Sequence, residues 1–247
     1  MILLIQLVNM AREPVASMSW LVDTSQRAIA GSREYFTVMD QADEPRNALE
    51  AGFDGVELHG ANGYLIEQFI DSQANTRTDG YGGSLPNRLR FLREVTEAVI
   101  GVVGAGRVGV RLAPLTTLQG AVDDTPQATY LAAAALLDAL GVVYLHIAEA
   151  DWDDAPDMPA AFREALRMIY GGTLIYAGKY TRERAETALE RGWADLIGFG
   201  RPFVANPDLP ERLQHGWPLA EPDASRFFGG DARGLTDYPR HDAASRR

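Results

Sequence analysis

The sequence has no cysteine, no apolar segment of membrane-spanning length and few basic residues. The absence of cysteine among 247 residues excludes disulfides, thiolate zinc sites, cysteine-ligated iron–sulfur clusters and a cysteine nucleophile. No run approaches the roughly 18 apolar residues of a membrane span. The apolar start at Met1–Val8 predicts a buried strand rather than a signal sequence. We therefore expect a cytoplasmic protein without a membrane partner.

Acidic residues outnumber basic ones. Asp and Glu number 34 against 23 Lys and Arg, which gives a formal net charge of −11. An acidic surface repels phosphate chains, so we expect no nucleic-acid partner. Hydrophobic residues make up 46% of the chain, which is enough for a sizeable core and excludes a disordered tail protein. The length of 247 residues is close to the roughly 250 residues of a single (β/α)₈ barrel.

Short apolar runs alternate with helical patterns along the chain. Most of the runs are continuous rather than alternating, which is typical of parallel strands buried on both faces. The predicted strands are Ile2–Leu7, Gly55–Leu58, Val108–Leu112, Val142–Ile147, Thr173–Ala177 and Leu196–Gly200. The predicted helices are Asp43–Ala51, Leu85–Val103, Thr125–Leu140, Ala160–Tyr170 and Thr181–Arg191.

The alternation of strands and helices predicts right-handed βαβ units and an α/β fold with a parallel sheet. The count of six strands is two short of the eight in a complete (β/α)₈ barrel. No linker divides the chain, so we expect a single domain over residues 1–247. Within it, residues 12–37 are predicted to form a loop or lid, and residues 218–247 an irregular C-terminal tail.

A polar cluster follows the predicted strand at Gly55–Leu58. His59, Asn62 and Tyr64 come directly after it, and in β/α barrels the carboxyl ends of the strands build the active site. A His and an Asn three residues apart on one turn can point two donors at one acceptor oxygen, and a nearby tyrosine can supply a proton. In the structural alternative, His59 satisfies a buried backbone group, Asn62 is a turn residue and Tyr64 belongs to the core. We favour the functional interpretation because three polar groups meet at one strand end.

Several longer motifs resemble those of one family. The segment His59–Phe69, HGANGYLIEQF, is followed by Asn75–Phe91, NTRTDGYGGSLPNRLRF. Further blocks are Val108–Pro114, Tyr144–His146, Phe199–Leu209 and Gly234–Pro239. In order and spacing these blocks resemble the Old Yellow Enzyme family of FMN-dependent NADH:flavin oxidoreductases and ene-reductases. The resemblance implies bound FMN, NADH or NADPH as the hydride donor, and a small electron-poor alkene as the substrate.

The resemblance implies catalytic roles for the polar cluster. His59 and Asn62 match the pair that hydrogen-bonds the carbonyl or nitro oxygen of the substrate, and Tyr64 matches the proton donor. In the implied reaction, the pair polarises the alkene, hydride arrives from the flavin at the β-carbon, and the tyrosine protonates the α-carbon.

Other residues match the FMN-binding positions of the family. Arg111 matches the arginine beside the flavin N1–C2=O edge, where a guanidinium stabilises negative charge, and Gln6 matches the glutamine at the pyrimidine edge. In the structural alternatives, Arg111 makes a salt bridge inside the barrel and Arg201 makes a surface ion pair. The residues that match the phosphate-binding region are Gly178, Lys179, Gly200 and Arg201. Lys179 replaces a glycine found in many members, so its side chain either adds a useful charge or crowds the phosphate.

The chain also departs from the family pattern. Family members have about two further β/α units before the strand at Ile2–Leu7, and Val8 and Asn9 stand where the family usually has Trp and His. Phe228 occupies a position usually given to tyrosine. The resemblance therefore implies a TIM-barrel-like parallel β/α fold that is incomplete, with about six of eight strands and the first two β/α units missing. Six strands leave two exposed parallel edges. We therefore expect a homo-oligomer that covers the gap, an atypical closed barrel, or a truncated product.

Two alternatives to the ene-reductase stay open. In the first, the chain is a degenerate, flavin-free homologue or fragment that acts as a non-catalytic binding or interaction protein. In the second, it is a barrel enzyme that isomerises an alkene without net redox change. The ene-reductase remains the leading prediction because all the named catalytic residues are present. No metal site is expected.

Overall fold

The computed structural model describes residues 43–149, 155–228 and 232–241, and only the backbone at residues 43 and 44. The predicted strand Ile2–Leu7 with Gln6, and the predicted loop at 12–37, lie outside the described residues, as do residues 242–247. Within the described residues, five parallel strands form one sheet in the order of the chain. They are β1 (Val56–Gly60), β2 (Val108–Leu112), β3 (Tyr144–Ala148), β4 (Thr173–Ala177) and β5 (Leu196–Gly198).

Helices connect and follow the strands. They are α1 (Asp43–Glu50), α2 (Leu65–Ile70), α3 (Leu85–Arg88), α4 (Arg90–Val103), α5 (Pro126–Leu140), α6 (Ala160–Ile169), α7 (Arg182–Glu190), α8 (Arg201–Ala205) and α9 (Leu209–His215). Short 3₁₀ turns occur at Ala105–Arg107, Leu118–Gly120 and Ala224–Arg226. Parallel neighbours joined through helices are the βαβ units expected from the sequence. Among the described helices, none is long and apolar enough to cross a membrane.

The five predicted strands that fall in the described range are all present. β1 runs to Gly60, two residues beyond its predicted end, so His59 belongs to the strand rather than to the loop after it. The single helix predicted at Leu85–Val103 is divided at Leu89 into α3 and α4. Helices α2, α8 and α9 were not predicted, because helices of five to seven residues contain too few turns to show a periodic pattern.

The two faces of the sheet carry different residues. The apolar row formed by Leu58, Val110, Leu145 and Leu174 is in register across four strands. Its last three members are fully buried, and α2 contacts β1 while α4 contacts β2. The neighbouring row, His59, Arg111, His146 and Ile175, lies on the opposite face and is half-buried. The expectation of continuous strands buried on both faces is therefore corrected, because one face packs on helices while the other presents polar side chains.

Candidate active site

The turn after β1 carries Asn62 and Tyr64. Asn62 and Gly63 have φ angles of 61° and 76°, and the Tyr64 N–H donates to the Ala61 carbonyl at 3.3 Å. Two central residues with positive φ and an i to i+3 hydrogen bond are the features of a type I′ turn, for which Asn-Gly is a favoured pair. His59 lies in the strand and Asn62 in this turn, so the expectation that both stand on one helical turn is wrong. Tyr64 is the N-cap residue of α2.

Gly63 fits this turn only because it has no side chain. A Cβ at this position would lie 2.5 Å from both the Leu118 carbonyl oxygen and the Gln119 Cβ. The 3₁₀ turn at Leu118–Gly120, which follows β2, therefore packs directly on the turn that follows β1. This contact joins the ends of two neighbouring strands.

His59 lies close to two other predicted site residues. Its ring centroid is 5.2 Å from that of Tyr64, with the planes inclined by 50°, and its Cα is the register partner of Arg111. Burial, followed by the nearby charge of Arg111, lowers the pKa of His59 from 6.5 to about 4. At neutral pH the imidazole is therefore uncharged, with one nitrogen available as a donor.

An acidic group lies one layer below His59 and Arg111. Glu57 Oε2 is 3.0 Å from Nδ1 of His146. Burial alone would raise the pKa of Glu57, but hydrogen bonds from His146 and Tyr144 hold it below its ordinary value. Burial and the Glu57 charge raise the pKa of Tyr144, so its hydroxyl remains protonated. Within the described structure, Nε2 of His146 is buried and has no hydrogen-bond partner.

The carboxyl end of the sheet is lined by small residues. Ala148, Ala177 and Gly198 are in register, and Ala61 and Ala113, which directly follow β1 and β2, cluster with Ala148 in the core. Gly109 lies on the same face of β2 as Arg111 but near the start of the strand, where a Cβ would collide with the ring of Tyr144. Side chains of this size add little bulk at the strand ends.

The two loops that contain the predicted phosphate-binding residues differ in packing, because the loop at Gly178 is tightly packed and the loop at Gly200 is not. Gly178 is buried, and a Cβ on it would lie 2.5 Å from the Glu149 carbonyl oxygen. Lys179 is exposed with φ of 47°, so its side chain does not fill the loop. No atom lies within 4 Å of a Cβ built on Gly200, so packing in the described structure does not require a glycine there. Arg201 begins α8 and is half-buried.

An ion-pair cluster holds the Gly178–Lys179 loop. Glu149, whose side chain is 3% exposed, binds Arg163 on one oxygen and Arg184 on the other. Arg184 Nη1 also donates to the carbonyl oxygens of Gly178 and Lys179, at 3.3 and 3.5 Å. The loop is thus fixed by a buried carboxylate through an intermediate guanidinium.

Sequence reasoning missed the groups that support the predicted site. Glu57 and His146 are 89 positions apart, and Glu149 and Arg184 are 35 apart, so no local motif connects them. The signal that could have found the first pair is the occurrence of Glu or His at alternate positions in VELHG and YLHIA. A polar residue inside an apolar strand indicates an inward-facing position.

Comparison with known proteins places the chain in a family. Residues 34–220 match the model of the NADH:flavin oxidoreductase / NADH oxidase family. The chain is 44% identical over 208 residues to putative 12-oxophytodienoate reductase 11 of Oryza sativa subsp. japonica, covering 83% of this chain and 56% of that protein. It is 44% identical over 197 residues to 12-oxophytodienoate reductase 2 of Arabidopsis thaliana, covering 78% of this chain and 53% of that protein. The chain thus spans about half the length of these relatives.

Solved structures agree with the sequence matches. Morphinone reductase in complex with tetrahydroNAD superposes with a TM-score of 0.79 at 45% identity, over 87% of this chain and 58% of that one. The old yellow enzyme homologue from Zymomonas mobilis gives 0.77 at 40% identity, over 84% and 59%. The predicted TIM-barrel-like α/β fold and the predicted resemblance are both confirmed. The chain belongs to the NADH:flavin oxidoreductase / NADH oxidase family, as a relative of the Old Yellow Enzymes that matches part of their length.

Proposed function

We propose that this chain acts as an FMN-dependent ene-reductase that uses NADH or NADPH to reduce a small electron-poor alkene. One observation carries the proposal: a neutral His59 lies 5.2 Å from Tyr64, beside Arg111, at strand ends lined by alanine and glycine. This arrangement brings a hydrogen-bond donor, a proton donor and a cation to one end of the sheet. The names of the relatives, 12-oxophytodienoate and morphinone reductase, denote ketones, which supports a carbonyl group on the substrate.

The residues at the strand ends fit FMN. The small side chains at the strand ends present little bulk to a planar ring system, and Arg111 would supply the positive charge that a reduced flavin needs near N1. Gly178, with a backbone that excludes a Cβ, and the exposed Lys179 would hold the phosphate. When bound, FMN supplies hydride transfer from the nicotinamide to the alkene.

The side chains of this chain then orient and activate the substrate. Because His59 stays neutral above its pKa of about 4, it donates one hydrogen bond to the substrate carbonyl without losing its proton. Asn62, held in the left-handed turn, adds a second donor, and the two together make the β-carbon electron-poor. Tyr64 delivers its phenolic proton to the α-carbon. Such general acid catalysis contributes on the order of 10² to 10⁴ in rate.

The experiment starts from the purified 247-residue chain. We expect a yellow protein with a flavin absorption spectrum, or one that takes up added FMN. In anaerobic stopped flow, NADPH or NADH should bleach the flavin band, and 2-cyclohexenone should restore it. A colourless protein that does not take up FMN would overturn the proposal and favour the non-catalytic alternative. Bleaching without enone-dependent recovery would leave a flavin reductase of another kind.

Oligomeric state and location complete the proposal. Leu196 of β5, the last strand of the described sheet, is 55% exposed, and a second copy of the chain would cover it. We expect a mass of two chains or more by light scattering and a cytoplasmic location by fractionation. A protease-resistant monomer would contradict the oligomer.

A further inference from the structure

The Asn62–Tyr64 turn is held by side chains that take no part in the proposed reaction. The Gly63 N–H donates to Oε2 of Glu67, and Nε2 of Gln68 donates to the Gly63 carbonyl at 2.7 Å. Both backbone groups of Gly63 are therefore bound by the first turn of α2. Since Gly63 lies between Asn62 and Tyr64, these bonds fix the backbone that orients both residues.

Glu67 is itself held from the other side. Its residue exposure is 1%, and its Oε1 accepts a 2.7 Å hydrogen bond from the hydroxyl of Tyr130, which is 3% exposed and lies on α5. Burial, and then the charge and hydrogen bond of Glu67, raise the pKa of Tyr130 well above its ordinary value. Tyr130 therefore remains a donor at every pH at which the protein is handled.

Few charges face the buried carboxyl group. Asp71 lies at the end of α2 and Arg111 on β2, and the Arg88–Asp123 ion pair stands beside Tyr130 through Thr129. Burial, together with the charge of Asp71, outweighs the Gly63 and Tyr130 hydrogen bonds and the charge of Arg111. The pKa of Glu67 is raised from 4.5 to about 7. Both protonation states of this buried group are thus populated near neutral pH.

We propose that Glu67, held by Tyr130, is a positioning residue that orders the Asn62–Tyr64 turn through the Gly63 N–H, and that the turn is ordered most strongly when Glu67 is ionised. The reason is the number of hydrogen-bond donors from which the Glu67 carboxyl group can accept in each protonation state. An ionised carboxylate accepts from Gly63 and Tyr130 at once, and such charge-assisted bonds are roughly twice as strong as neutral ones. A protonated carboxyl group carries its own O–H, which competes with the Tyr130 hydroxyl for the donor role. The inference rests on the proposed function only for its catalytic consequence.

Glu67→Gln is the direct test, because the amide has nearly the shape of the carboxyl group but is uncharged and keeps a single acceptor oxygen at every pH. Hydrogen–deuterium exchange of peptides that cover residues 60–66, corrected for intrinsic rates, reports the order of the turn without FMN or substrate. In the wild type we expect protection to rise on the order of fivefold between pH 6 and pH 8, as gaining the charge-assisted part of one hydrogen bond implies. Glu67→Gln should show no rise and should be protected no better than the wild type at pH 6.

The matched control is Glu94→Gln. Glu94 also accepts a tyrosine hydrogen bond, from Tyr81 at 2.9 Å, but lies on α4 rather than on α2. This variant should keep the wild-type pH step. Tyr130→Phe is the second test, and it keeps the proposal falsifiable if Glu67→Gln does not fold. Removing a donor to the carboxylate should move the midpoint of the step to higher pH.

The catalytic consequence is measured separately. In the FMN-loaded enzyme, Glu67→Gln should slow enone-dependent reoxidation at pH 8 about fivefold and leave reduction by NADPH unchanged. A pH-independent turn in the wild type, a pH step that persists in Glu67→Gln, or an unchanged midpoint in Tyr130→Phe would overturn the inference. Failure of the wild type to bind FMN or reduce the enone would instead overturn the proposed function, while the exchange result would still stand.

Discussion

Replacing Glu149 by Gln should destabilise the fold by about 3 kcal/mol. The Glu149 side chain is 3% exposed and neutralises two guanidinium groups, of which Arg163 is 11% exposed and Arg184 28%. Removing one partner of a buried ion pair costs about 3–5 kcal/mol, because the remaining charge is left without compensation. We place the loss at the lower end, since Arg184 is partly hydrated and the amide oxygen of Gln still accepts one hydrogen bond.

Urea unfolding of the FMN-free protein, followed by far-UV circular dichroism, measures this loss without a contribution from ligand binding. The control is Glu186→Gln, which breaks the Arg182–Glu186 pair at 2.7 Å with side chains 42% and 53% exposed. An exposed i,i+4 pair contributes only about 0.3–0.5 kcal/mol. Equal losses of unfolding free energy in the two variants would refute the argument that the Glu149 ion pairs stabilise the fold more strongly because they are buried. Because Arg184 also binds the Gly178 carbonyl, only Glu149→Gln should weaken FMN binding in a fluorescence titration.

Three further predictions concern the turn and its neighbours. Tyr64→Phe should slow enone-dependent reoxidation of the enzyme at least 100-fold and leave reduction by NADPH unchanged, and equal loss in both half-reactions measured by stopped flow would contradict its role as proton donor. Gly63→Ala should cost more than about 2 kcal/mol in urea unfolding, from a left-handed backbone and contact with Leu118, whereas Gly83→Ala, with φ of 74° and open space around it, should cost only about 1–2 kcal/mol. The pKa of His59 is lowered to about 4, so between pH 6.5 and pH 4 the unfolded chain binds a proton that the folded chain does not. The free energy of unfolding of the wild type should therefore fall as the pH is lowered through this window, relative to that of His59→Gln. Parallel curves of unfolding free energy against pH would show that the imidazole is not desolvated.

The fold was largely predictable from the sequence. β2 and β4 have their predicted bounds, and α5 begins one residue after its predicted start. These elements are signalled by local chemistry: a run of apolar residues for each strand, and a proline in the first turn of α5. The short helices α8 and α9 also have a proline in the first turn, but helices of five to seven residues, α2 included, contain too few turns to show a periodic apolar pattern.

The site was predictable in its residues but not in its geometry. The motif places His59 and Tyr64 five positions apart, yet their rings meet because a left-handed turn at Asn62 and Gly63 reverses the chain between them. The Asn-Gly pair was visible in the sequence, but the residue spacing of a helix does not apply to it, because the structure has a left-handed turn there. The support of this turn by Tyr130, 63 positions beyond Glu67, has no local signal, because only the folded chain brings the two together.

Alternate residues along each strand have different roles, because one set packs in the core and the other lies in the candidate site. Leu58, Val110 and Leu145 face the helices, so their replacement would open cavities in the core. The intervening positions, including Arg111 and His146, contribute little to that core. Substitutions at these intervening positions therefore change the hydrogen bonds and charges of the candidate site without opening a cavity in that core, so the site can vary while the core residues remain constant.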